Sequence, residues 1–137
     1  GANSGATMTV DDAGNIHVVW GQKRADGSSN DGEVYWMKSA DEGSNWTSPA
    51  RVNQDTGTAD QWLPWISWDD CTNALVVIFF DSRNDYTKAD TYIAVNYLDL
   101  TGWTERKVSD ASRPAPTSCT TWSTTAPCTS PRGWSGG

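Results

Sequence analysis

Apolar and polar side chains alternate with a period of two along much of the chain, and Gly, Asn and Asp interrupt the alternation. Ala6-Thr7-Met8-Thr9-Val10 runs into the turn-like Asp11-Asp12-Ala13-Gly14-Asn15, after which Ile16-His17-Val18-Val19-Trp20 resumes the pattern. Two such runs about a Gly-Asn corner predict a β-hairpin. Residues 21–32 are polar and glycine-rich and predict a loop. Glu33-Val34-Tyr35-Trp36-Met37-Lys38 and residues 48–53 predict two more strands. A polar stretch over 53–62 follows, and the pattern starts again. Leu63-Pro64-Trp65-Ile66-Ser67-Trp68, residues 74–80, 91–97 and 103–108 read as strands, separated by a turn at 69–73, a charged loop at 81–89 and a turn at 98–102. Runs of this length, rich in β-branched and aromatic residues, define an all-β chain.

The two halves overlay with a shift of a little under sixty residues. Val10-Asp11-Asp12, Asn15 and Val18-Val19 fall on Trp68-Asp69-Asp70, Asn73 and Val76-Val77; Trp46-Thr47 falls on Trp103-Thr104, and Arg51-Val52-Asn53 on Lys107-Val108-Ser109. Self-similarity of four strands per unit at this period is the signature of propeller blades. The predicted organisation is one blade over 1–53, a second over 54–110, and a Pro/Ser/Thr/Cys-rich loop over 111–137. That last segment ends without a closing strand, so the chain reads as a fragment.

One hairpin connection carries more information than the others. Ser39-Ala40-Asp41-Glu42-Gly43-Ser44-Asn45-Trp46 has the form Ser-x-Asp-x-Gly-x-Asn-Trp. The Asp41 carboxylate can accept the backbone N–H groups that follow it, Gly43 can take the positive φ of a tight reversal, and Trp46 can fold back over the turn. Ser39 adds a hydroxyl at the turn's start. In the second unit, Asp99-Leu100-Thr101-Gly102-Trp103 keeps the Gly and Trp without the spacing.

Composition narrows the partners. A formal net charge of −7 argues against nucleic acid and anionic membranes. Nine Trp in a chain of mean hydropathy −0.60 fit strands with one aromatic and one polar face. No apolar run approaches membrane-spanning length. Of three cysteines, Cys119 and Cys128 lie close enough in sequence to pair, which suits an oxidising compartment; Cys71 is either free or paired elsewhere.

Three candidate sites follow from residue chemistry. Asp81, Asn84, Asp85 and Asp90 supply oxygen ligands that suit Ca²⁺, but their spacing matches no EF-hand loop and a solvated acidic loop is the better account of them. Among the tryptophans at 62, 65, 122 and 134, Trp62 is expected just outside a strand as a platform for a sugar ring, while Trp65 is expected in the core. Asn45-Trp46-Thr47 matches a glycosylation acceptor but lies inside the Ser39–Trp46 turn.

The octapeptide resembles the Asp-box of bacterial secreted sialidase-like (BNR-repeat) β-propellers. The likeness extends through Asp12-Ala13-Gly14-Asn15-Ile16-His17-Val18-Val19-Trp20, residues 51–61 and Phe80-Asp81-Ser82-Arg83-Asn84-Asp85. It implies two four-stranded antiparallel blades of a ring that is usually six-bladed in that family, completed by further blades of the same chain or of other copies. It places the Asp-box (Ser39, Asp41, Gly43, Trp46) on the face away from the active site, as a folding element. The loops at 21–32, 53–62 and 81–90 and the tail then share the functional face. In sialidases an arginine trio holds the substrate carboxylate, and Arg83, then Arg24, match that role here; Arg51 reads as structural. The family's tyrosine nucleophile with its glutamate has no counterpart, since Tyr86 has no glutamate nearby. The resemblance therefore implies a secreted glycan-recognition protein, with sialidase-type hydrolysis reserved for a completed ring. The alternative is a non-catalytic propeller for cell-surface structure, adhesion or assembly, including a lectin-like oligomeric ring. No cofactor other than Ca²⁺ is implied.

Overall fold

The computed structural model describes residues 4–98 and 102–109; the expected second-unit turn at 99–101 and the segment from 110 onward, with Cys119, Cys128, Trp122 and Trp134, lie outside the described residues. The strands are β1 (Ser4–Val10), β2 (Ile16–Lys23), β3 (Gly32–Ser39), β4 (Ala50–Arg51), β5 (Gln61–Asp69), β6 (Ala74–Asp81), β7 (Asp90–Tyr97) and β8 (Thr104–Lys107). They form two four-stranded antiparallel sheets, β1-β2-β3-β4 and β5-β6-β7-β8, each with its strands in sequence order. β4 is shorter than its sequence suggests because Pro49 has no N–H to give to the ladder.

The sheets pack against each other through a shared core of Val19, Val34, Val52, Ile66, Leu75, Val77, Phe79, Tyr92 and Ala94, with Trp36, Trp68 and Trp103 at its margin. Polar contacts tie them together as well. The Thr7 hydroxyl donates to the Pro64 carbonyl at 3.3 Å and accepts the Ile66 N–H at 3.2 Å, and the Trp68 indole donates to Asp12 Oδ1 at 3.0 Å. The rings of Trp36 and Trp103 meet edge-on at 5.8 Å.

Two expectations are corrected. Trp65 is not in the core: it is 65% exposed. The β5–β6 register slips between Trp62 and Trp65, where Leu63 takes φ 50°, so Trp62 and Trp65 share the outward face opposite Phe80 and Ile78. A bulge of this kind reverses the alternation beyond it. Trp62 itself lies within β5, half-buried against Phe80 at 6.1 Å between ring centroids.

The second correction concerns the overlay of the halves along β2 and β6. Trp20 faces Tyr35 across the ladder and stacks on it at 6.1 Å; Phe79 does the same with Tyr92, also at 6.1 Å. The Tyr35 hydroxyl accepts the Ala25 N–H, and the Tyr92 hydroxyl accepts a hydrogen bond from the Asn84 amide, both at 2.9 Å. The counterpart of Trp20 is therefore Phe79, and that of Val18 is Val77, one residue away from the match of Val18 with Val76. Because side chains alternate, a one-residue slip exchanges the faces of the sheet. The row Ile16, Val18, Trp20 lies half-exposed on the outside of the first sheet, while its counterparts Leu75, Val77 and Phe79 are buried between the sheets. The sheets thus meet through opposite faces.

The one histidine, His17, is fully buried and satisfied on both nitrogens. Nε2 donates to Asp11 Oδ2 at 3.0 Å, and Nδ1 accepts the Trp36 indole N–H at 3.2 Å. Burial alone would raise the Asp11 pKa, but hydrogen bonds from Asn15 and His17 outweigh it and hold the carboxyl below its ordinary value.

Candidate functional site

The up-and-down order of each sheet sorts the connections between two ends. The turn at 11–15 and the 40–49 connection lie at one end; the connections 24–31, 52–60 and 82–89 lie at the other. The first end holds the Ser39–Trp46 octapeptide. The Ser39 hydroxyl donates to Asp41 Oδ1 and accepts the Gly43 N–H, both at 2.9 Å, and the Asp41 carboxylate accepts the Asn45 backbone and amide N–H groups at 2.7 and 2.6 Å. Those bonds, Asn45 foremost, lower the Asp41 pKa. Gly43 sits at φ 88°, and the Trp46 indole closes over it by donating to its carbonyl at 3.0 Å. The Ser39 hydroxyl, the Asp41 carboxylate and the Trp46 indole N–H all bond within the turn, which makes it a structural device.

The opposite end carries an ionic network that joins the two sheets. Glu33, fully buried, receives Arg24 Nη2 at 2.6 Å, Arg51 Nη1 at 3.3 Å and Asn53 Nδ2. A buried carboxylate persists only with such partners. Asn53 Nδ2 also faces Asp55 Oδ1 at 2.6 Å and Gln61 Oε1 at 2.8 Å, while its own oxygen accepts the Val34 N–H. Arg83 reaches Asp81 through Nε at 2.8 Å, grips Glu105 with its terminal nitrogens, and lies 3.8 Å from Asp55. Asp81 is itself fully buried. These ion pairs raise the Arg83 pKa against the opposing effect of burial. Asp55 Oδ2 and Gln61 Nε2 are buried with no hydrogen-bond partner among the described residues.

The sequence-derived candidates fall as follows. Arg24, Arg51 and Arg83 come to the same end, but each is held by carboxylates. Against these three arginines stand Asp31, Glu33, Asp55, Asp81 and Glu105. The excess of acid makes the cluster poor at attracting a further carboxylate and well supplied with acceptors for hydroxyl groups. Trp62 stands beside it, since Gln61 and Trp62 pair with Asp81 and Phe80.

The proposed Ca²⁺ ligands have separate partners. Asp81 holds Arg83; Asn84 bonds Asp90 and Tyr92; Asp85 bonds Thr87 and Lys88; Asp90 pairs with Lys107 at 2.8 Å. The turn around Asp85, led by the Thr87 hydrogen bonds, lowers its pKa to about 2, and Lys107 leads the lowering at Asp90. Among the described residues, the one cluster with ligand atoms mutually within 4.8 Å is Asp69, Asp70 and Cys71. Cys71 is disulfide-bonded and so offers no thiolate. The candidate pair Cys119–Cys128 lies outside the described residues.

Sequence reading missed Glu33, Asn53, Asp55, Gln61 and Glu105 as members of the network. A charged Glu inside an otherwise apolar strand pattern, Glu33-Val34-Tyr35-Trp36, was the available signal. No protein-family model matches the chain, and no match is found among curated proteins.

Proposed function

We propose that the two sheets are successive blades of a sialidase-like Asp-box propeller and that the strand-end face carrying Arg24, Arg83 and Trp62 recognises glycans. The observation that carries the reading is the opposite-face packing of two sheets with matching internal contacts. A head-to-tail relation of that kind is what repeats around a propeller axis, whereas a sandwich related by a two-fold would bury the same face twice. The local bonding of the Asp-box and its position at the far end from the ionic network support the same assignment. The Cys71 disulfide supports a secreted, oxidising location.

The surplus of carboxylates favours neutral sugar hydroxyls over a sialic acid carboxylate, with Trp62 stacking on the sugar's apolar face. Hydrolysis would require groups from further blades, because the tyrosine hydroxyls described at this end, Tyr35 and Tyr92, bond Ala25 and Asn84 and not a glutamate. A second reading, a non-catalytic module for surface adhesion or assembly, is favoured by the engagement of all three arginines in ion pairs within the protein. A glycan array followed by saturation-transfer NMR tests the proposal. Binding of neutral oligosaccharides that falls at least tenfold in Trp62→Ala supports it. A folded protein that binds no glycan, or binds equally well without Trp62, overturns it in favour of the second reading.

A further inference from the structure

The two sheets leave matching surfaces on their outsides. The first sheet turns outward Met8, Val10, Ile16, Val18 and Trp20, with Met8 and Val10 exposed by 59% and 47%. The second turns outward Trp65, Ile78 and Phe80, beside a groove of about 460 Å³ lined by Val76, Ile93, Val95 and Tyr97. The internal sheet–sheet contact shows what fits such a groove. Trp103 of the second sheet projects onto the first, where Trp36 stacks on His17 and meets Trp103 edge-on. In the second sheet, Ile93 stands where Trp36 does and Val76 where His17 does, by the correspondence of Tyr35 with Tyr92 and Trp20 with Phe79.

The counterpart of Trp103 is Trp46. Each precedes a threonine set opposite β3 or β7: Thr47 exchanges hydrogen bonds with Lys38, and Thr104 pairs with Val95. Trp46 is 39% exposed, held in a rigid turn by its bond to Gly43. The side of the first sheet that bears it is the side for which the groove of the second sheet is the complement. Charge agrees, since Asp41 and Glu42 accompany Trp46, while the groove carries Arg106 and Lys107, the latter also paired with Asp90, against one acid, Asp69.

We infer that a second copy of this chain docks head-to-tail, its Trp46 entering the groove lined by Val76, Ile93, Val95 and Tyr97 as Trp103 meets Trp36 within one copy. Such a heterologous contact repeats from copy to copy, closing into a ring or extending as a chain. The inference rests on the blade reading and is independent of glycan binding.

The test is mass by light scattering after size exclusion, with circular dichroism as the measure of folding. The wild-type chain is expected at multiples of 14.9 kDa. Trp46→Ala and Ile93→Glu are each expected to reduce the mass to a single copy; Ile93 faces away from the core, so its variant should keep the β spectrum. A wild-type protein at one copy, folded or unfolded, overturns the inference. So does a wild-type mass that persists unchanged in folded Ile93→Glu. A folded single copy would leave the internal packing, and the blade reading with it, standing.

Discussion

Arg83 lies over the ring of Tyr92, its guanidinium carbon 4.2 Å from the ring centroid, while its nitrogens hold Asp81 and Glu105. The residue that looks most like a ligand-binding arginine is thus also the clamp between β6, β7 and β8. Removing it would strand the fully buried Asp81 carboxylate. Arg83→Ala is expected to cost about 3 kcal/mol, the order found when one partner of a buried ion pair is deleted. Urea denaturation measures it; a loss below about 1 kcal/mol, the scale of an exposed ion pair, would mean that Arg83 is not a structural clamp.

The Ser39 hydroxyl is buried and makes bonds in both directions within the 39–46 turn. Ser39→Ala leaves the Gly43 N–H and Asp41 Oδ1 each short of a partner. A loss of about 1–2 kcal/mol is expected, with the glycan binding proposed for the opposite end unchanged. Paired thermal melts and binding titrations check both halves of that statement.

Acid should weaken the fold in a defined window. Asp11, Asp41, Asp85 and Asp90 all have folded pKa values below their ordinary ones, Asp85 at about 2. Each contributes stability that is fully present above the unfolded carboxyl pKa of about 4 and is lost as pH falls through the folded value. Stability should therefore be level above about pH 5 and decline between about pH 4 and 2. Asp41→Asn should make that decline shallower, which denaturation at a series of pH values would reveal. An unchanged slope would remove Asp41 from the account.

Gly32 opens β3 against the start of β5 in the other sheet. Its N–H donates to Asp60 Oδ1 at 2.7 Å, and a Cβ there would lie 2.9 Å from the Gln61 carbonyl oxygen. Gly32→Ala must displace backbone, at an expected cost of about 1–3 kcal/mol. The displacement would reach Asn53 and Gln61, so amide shifts in an NMR spectrum should spread through residues 53–61 and leave the turn at 39–46 undisturbed.

The hydrophobic alternation of this chain determined by itself the strands, their order and the hairpin turns. Those features depend on a local period of two and on turn residues such as Asp11, Asp41 and Gly43, whose bonding partners lie a few positions away. Only the tertiary structure decided which face of each sheet is inside. A bulge at Leu63 and a one-residue offset between Val18 and Val77 each reverse every side chain beyond them, and neither leaves a mark in composition or period. The ionic network was hidden for a related reason: Gln54 and Glu105, whose backbone N–H and carboxylate meet at 3.1 Å, are far apart in the chain, as are Arg24 and Gly57. Strand pairing is a local choice repeated along a ladder, whereas the meeting of strand ends across two sheets exists only once both sheets have packed.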